Sequence, residues 1–292
     1  MRSSQGSTPA ERLAHIVRDV HQLPPMPANI VRIMRALENP KTGAGQVADL
    51  LSLDQALTAN VLRVANSALM GYGPPCASVQ EAVVRVGFQR VRSIVMAAAV
   101  VDQLNQQLPG YRLAAEELSH HAVVAASTAR YFAGAVRFPY GEEAYIAGLL
   151  HDIGKVVLDR YMREAYQNVV TLMSEKELQM WQAEEQVFGI DHGAVGGLMA
   201  STWQFPPSLA NAIKFHHWPS FAAPAHQPLA AIVNLANALA PRPTIGKAAF
   251  NTTTVHPEAL RILNLDEPQL ERLKMYMPGG GVADTRASEG HQ

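Results

Sequence analysis

The sequence predicts an all-α protein. Three observations carry that expectation. Apolar residues recur at three- and four-residue spacing along most of the chain, helix-capping signals recur between those runs, and there is no sustained period-two run and no Asn-Gly or Asp-Gly hairpin signal. With 292 residues, 48% hydrophobic and 17% charged, the chain can bury a sizeable core, and its length fits one large domain or two packed lobes.

Thr8 and Glu11 form a capping box with Pro9 at the first helical position, and Leu13, Ile16, Val17 and Val20 supply the apolar face of the first helix. The prolines of LPPMP, residues 23–27, end it, because proline lacks an amide donor and restricts the residue before it. Ile30, Met34 and Leu37 mark a second helix closed by Asn39-Pro40, and Val47, Leu50 and Leu51 mark a short third. Asp54 caps a helix through Leu57, Val61, Leu62, Ala65 and Leu69, which ends in the breakers Gly71, Gly73, Pro74 and Pro75. Ser78 and Glu81 make a second capping box, ahead of Val79, Ala82, Val83 and Val86, and Gly87 suits a left-handed C-cap. From Phe88 through Ala98 a long helix is apolar on most sides.

Polar residues 105–110 mark the boundary to a second lobe. Helices are expected there at 116–132 and 142–158, after a capping box at Ser174 and Glu177, and then from Asp191 to Trp203, from Pro206 to His216 and from Pro228 through Leu239. A C-terminal helical extension covers 241–277, with helices near 257–263 and 267–276, and residues 278–292 read as a disordered tail.

Composition also excludes functions. A net charge of -1 supplies no electrostatic footprint for nucleic acid or an anionic membrane. The longest purely apolar run, IVMAAAVV at 94–101, falls short of the roughly 20 residues that span a bilayer. The first residues carry no apolar stretch of secretory type. The single cysteine, Cys76, rules out an internal disulfide and, with no CxxC spacing, suits a reducing cytoplasm.

The chemistry concentrates in the second lobe, where AGLLHDIGK places His151 and Asp152 at the polar end of an apolar helix. A neutral nitrogen ligand beside a hard anionic oxygen suits Mn, Fe, Zn or Mg. Successive helical side chains diverge by roughly 100°, so one centre needs ligands from other helices. His121, His192, His216 and His217 are the candidates. Spacing leaves a second reading open, with His121 and His192 as core histidines, His216 and His217 as surface residues ending a helix, and Asp152 as a capping or paired carboxylate. Trp181, Trp203 and Trp218 read as packing residues, because no basic groove accompanies them.

Residues 17–101 resemble the N-terminal part of the HDOD family, output-type relatives of HD-domain phosphohydrolases. The matching text is LPPMPANIVRIMRALENP, VADLLSLDQALTANVLRVANSALMGYG and SVQEAVVRVGFQRVRSIVM. The second lobe continues the resemblance through LSHHAVVAASTARYFA, YIAGLLHDIGKVVL, FGIDHGAVGGLMASTWQFPPSLANAIKFHHWP and AAIVNLANALA, so that it covers 11–240. It implies an HD-like helical lobe at 111–240 packed on a family-specific helical lobe at 11–104, in a cytoplasmic bacterial signalling protein.

The resembling hydrolases hold a metal with a first histidine, the HD pair and a distant aspartate. Those positions fall on His121, His151 and Asp152, and the final aspartate falls on Asn237, an amide without the anionic charge that hard cations favour. The HD-GYP cyclic di-GMP phosphodiesterases add a lysine and further histidines, which Lys155, His192, His216 and His217 resemble. The GYP segment itself is absent, the chain reading WPSFAAPAHQP there. The resemblance therefore implies a non-catalytic signalling module that binds regulatory proteins, among them response regulators or cyclic di-GMP-related proteins. The alternative is a metal-dependent phosphohydrolase in which Asp152 and Lys155 carry the chemistry.

Overall fold

The computed structural model describes residues 8–67, 70, 74–240 and 254–277. Among them there is no strand, only an isolated antiparallel bridge between Leu108 and Leu113. Leu69 of the helix expected after Asp54, Gly71 and Gly73 of the breakers expected to end it, the first part of the expected C-terminal extension and the expected tail lie outside the described residues.

Pro24–Asp102 form one compact unit, and the chain up to Leu23 and from Gln103 forms another. In the first unit, α2 (Ala28–Glu38), α3 (Ala44–Ser52), α4 (Gln55–Ala65) and α5 (Val79–Val86) pack in succession, and α6 (Phe88–Leu104) begins within it. Ile30, Ile33, Leu37, Val47, Leu51, Leu57, Val61 and Val83 are buried. The Asp54 side chain accepts the amides of Ala56 and Leu57, and the Ser78 hydroxyl accepts that of Glu81, so each cap answers donors left free in a first helical turn. Gly87 ends α5 at φ 81° and ψ 149°, a positive-φ conformation open to glycine but outside the left-handed helical region expected for it.

The larger unit contains α1 (Pro9–His21), whose capping box between Thr8 and Glu11 is formed. This helix packs on the helices at Gly154–Lys176, Met180–Phe188 and His192–Thr202, whereas the sequence grouped residues from 11 onward with the N-terminal lobe. The unit continues with α7 (Glu117–Ala135), α8 (Gly141–Leu150), α9 (Gly154–Lys176), α10 (Met180–Phe188), α11 (His192–Thr202), α12 (Pro207–Lys214) and α13 (Gln227–Leu239). Two short helices follow, α14 (Pro257–Ile262) and α15 (Glu267–Lys274). At its centre, α8 buries Ala144, Ile146, Ala147, Gly148, Leu149 and Leu150, and it packs against α7, α12 and α13.

Two local expectations are corrected. The single helix expected at 142–158 is broken after Leu150 by a turn at 151–153. The chain there is fitted to a tertiary neighbour: Gly154 opens α9 against α11, where a Cβ would meet the His192 carbonyl oxygen and the Gly196 amide nitrogen. Ser174 caps nothing either, because α9 runs on to Lys176 and Glu177 ends it in the left-handed conformation, φ 52°. The next helix is opened instead by Gln179, with Gln182 returning to its amide.

Candidate metal centre

His121 comes from α7, His151 caps the C-terminal end of α8, Asp152 occupies the following turn and Lys155 the first turn of α9. His192 is the first residue of α11 behind its cap Asp191, His216 and His217 follow α12, and Asn237 lies on α13. These residues converge. Ligand atoms of His121, His151 and Asp152 lie within 4.8 Å of one another, as do those of His192, His216 and His217. The rings of His151 and His216 are 5.0 Å apart and those of His192 and His216 5.5 Å, so the two groups adjoin.

Every one of these side chains is buried, which corrects the reading of His216 and His217 as surface residues: they are 0% and 9% exposed. The correction follows from α11 and α12 packing closely together, with His217 covered by the stacked ring of Trp181, 5.6 Å away. Trp181 in turn meets Trp218 edge-on.

Main-chain carbonyls orient two of the rings. His151 Nδ1–H donates to the Gly148 carbonyl and His216 Nδ1–H to the Ile213 carbonyl, both at 2.7 Å. Each carbonyl lies three residues back, at the end of a helix where no amide follows to take it. These bonds fix the tautomers and leave Nε2 of His151 and of His216 buried with no hydrogen-bond partner. Two buried imidazole lone pairs, one in each of the adjoining groups, are an unfavourable arrangement alone and a suitable one beside a cation.

The carboxylate is held on both sides. Lys155 Nζ donates to Asp152 Oδ2 at 2.6 Å, and Asp152 Oδ1 lies 3.1 Å from His192 Nε2. His192 Nε2 is also 2.9 Å from His217 Nε2, a separation that requires a proton on one of the two. Across the centre His121 Nε2 meets Asn237 Oδ1 at 3.2 Å.

The HDOD domain family model matches residues 23–219. The chain belongs to the HDOD family. The crystal structure of an HDOD domain protein of unknown function from Geobacter sulfurreducens is 28% identical to it, with a TM-score of 0.66, 87% of this chain and 88% of that one being covered. A candidate phosphohydrolase from Shewanella amazonensis SB2B shares the fold at 24% identity and a TM-score of 0.66, over 90% of this chain and 94% of that one. An uncharacterized protein of Treponema pallidum is 27% identical over 242 residues, which make up 81% of this chain and 46% of that protein, so this HDOD chain spans about half the length of the curated relative it matches. Among the described residues no helix is long and apolar enough to cross a membrane.

Two buried residues of the candidate centre were not singled out in the sequence. Glu184 of α10 accepts both the His192 amide, at 2.8 Å, and His192 Nδ1–H, at 2.6 Å, while Tyr111 OH donates to its other oxygen at 2.8 Å. A signal for Glu184 existed: it shares a helical face with Val187 and Phe188, three and four residues on, where a carboxylate needs partners.

The electrostatics follow from this wiring. Burial alone would lower the His192 pKa, but the Glu184 carboxylate outweighs it and pushes the ring up to about 9. Burial, with neighbouring imidazoles adding to it, holds His216 and His217 well below the ordinary 6.5. It also lowers His151, against the attraction of Asp152. Burial would raise Asp152, but Lys155 and the histidines hold it well below the carboxylate range. In the metal-free protein at neutral pH the proton on His192 Nε2 therefore sits between Asp152 and His217, where positive charge is favoured.

A pH dependence follows. Below their unfolded value of 6.5, His151, His216 and His217 take up protons on unfolding, so stability falls with acid. The His192 contribution has the opposite sign, fully present below 6.5 and lost as pH rises through about 9. Urea midpoints of chelator-treated protein should accordingly be highest near about pH 7.5 and lower at about pH 5.5 and 9.5. A midpoint at the acid end equal to the neutral one would contradict the neutral state of the three histidines.

Proposed function

We propose that this HDOD protein is a non-catalytic bacterial signalling module, acting in the cytoplasm through protein–protein interaction with regulatory proteins such as response regulators or cyclic di-GMP-related proteins. Its buried His/Asp centre serves as a divalent-metal site of structural role. His121, His151 and Asp152 in one group and His192, His216 and His217 in the other would hold metal. A divalent cation supplies Lewis acidity where a substrate reaches it.

The observation that carries the reading is the His121–Asn237 pair. The resembling hydrolases close the metal shell with a carboxylate, and here a neutral amide stands at that position, 3% exposed, with its oxygen against the histidine that would be the first ligand. An amide oxygen binds hard cations more weakly than a carboxylate. The Nε2 atoms of His151 and His216, which make no hydrogen bond, and the Asp152–Lys155 pair favour the second reading, a metal-dependent phosphohydrolase acting on a nucleotide or phosphoester.

The deciding experiment combines metal analysis after chelator-free purification, a manganese-supplemented assay on phosphodiesters including cyclic di-GMP, and affinity capture from the native cytoplasm. The expected result is bound or readily bound metal, no turnover, and capture of a regulatory protein by the wild type. Multiple turnovers by the wild type would overturn the non-catalytic reading. Asn237→Asp should tighten divalent-metal binding about tenfold by restoring the carboxylate at nearly constant volume. Unchanged affinity on calorimetry would remove Asn237 from the metal shell.

A further inference from the structure

Glu184 is 0% exposed and its two oxygens are divided between two tasks. Oε2 takes the amide and the Nδ1–H of His192, and Oε1 takes the Tyr111 hydroxyl. The ring of Tyr111 is itself buried, 5% exposed, in a loop built to present it. Leu108 and Leu113 exchange both backbone hydrogen bonds at 3.0 Å, closing the loop, and Asp159 Oδ1 accepts the Gly110 amide at 2.7 Å and the Tyr111 amide at 3.4 Å. Residue 110 is glycine of necessity, since a Cβ there would stand 2.1 Å from the Asp159 carbonyl oxygen. Arg112 follows at φ 55°, with its guanidinium 4.0 Å over the Tyr166 ring.

We propose that Tyr111 is a positioning residue for the candidate metal centre, its hydroxyl locking the plane of the Glu184 carboxylate so that His192 is held with Nδ1–H on Glu184 and Nε2 on the Asp152 side. The significance for metal binding rests on the reading of the centre given above, whereas the control of His192 does not. A histidine whose far nitrogen is tied to an oriented carboxylate has one tautomer and one ring direction, and loss of such a partner weakens metal sites without touching a ligand. The loop at 105–116 thus does more than connect helices. It reaches His192 through a single carboxylate.

Tyr111→Phe removes one oxygen and keeps the ring. Tyr161→Phe is its control, because Tyr161 also donates to a carboxylate, that of Asp19, away from the centre. Two quantities are read: the manganese and zinc binding constants by calorimetry, and the ring-nitrogen resonances of His192 in the metal-free protein. Tyr111→Phe should weaken metal binding about tenfold and shift the His192 nitrogen resonances, and Tyr161→Phe should do neither. A folded Tyr111→Phe with wild-type His192 resonances overturns the proposal. If the wild type binds no metal, the metal reading fails, and the nitrogen resonances still decide whether Tyr111 controls His192. Should Tyr111→Phe not fold, Glu184→Gln tests the same link, and a folded variant with unaltered His192 resonances overturns it equally.

Discussion

Asp152→Ala is expected to abolish divalent-metal binding and to lower the stability of the folded chain by about 3–5 kcal/mol. Both effects have one origin. Asp152 is 2% exposed, accepts Lys155 Nζ at 2.6 Å and lies 3.1 Å from His192 Nε2, so its removal leaves a buried ammonium without its counter-ion and takes away the only carboxylate in the two ligand groups. Asp152→Asn separates the effects: the amide oxygen still accepts from Lys155, and metal affinity should fall while less stability is lost. Metal content after chelator-free purification and urea unfolding of both variants provide the measurements. Wild-type affinity in Asp152→Ala would show that the histidines bind without it and that its role is confined to Lys155.

Gly154→Ala should be nearly as severe, costing about 3 kcal/mol through overpacking. The added methyl would meet the His192 carbonyl oxygen at 2.0 Å and the Gly196 amide nitrogen at 2.7 Å. Both are backbone atoms of α11, so relief requires α9 and α11 to separate. Because His192 opens α11, that separation also displaces a candidate ligand, and metal affinity should fall together with stability. Gly134→Ala is the control, since its Cβ would meet nothing within 4 Å on the exposed side of α7, and alanine there should change stability by no more than about 1 kcal/mol, in the favourable direction. Equal unfolding midpoints for the two alanine variants would remove the close approach of α9 and α11 as the reason for glycine at 154.

The helical character of the chain was legible because its signals are local. Thr8 with Glu11, Asp54, Ser78 and Asp191 each cap the helix that follows them, because a short polar side chain needs only its own neighbours to do so. The break after Leu150 was not legible, since it falls just before Gly154 meets backbone of a distant helix, which no local signal reports. The capping box at Ser174 failed for a related reason: the pattern is present, but α9 is carried past it while burying Met162, Ala165 and Val169 along its length. At the centre, residue type and resemblance named His121, His151, Asp152, Lys155, His192, His216, His217 and Asn237. They did not name Tyr111 or Glu184, which lie 73 residues apart and whose pairing exists only in the folded chain.

The bonds from His151 and His216 to carbonyls of their own helix ends have one more consequence. Each ring is referenced to main chain, so its torsion is not a free variable, and the gap between the two Nε2 atoms is set by how α8 and α12 pack. Were an ion held between them, discrimination between cations of different radius would be a property of helix packing, because a larger ion would have to move two helices against a close-packed interior.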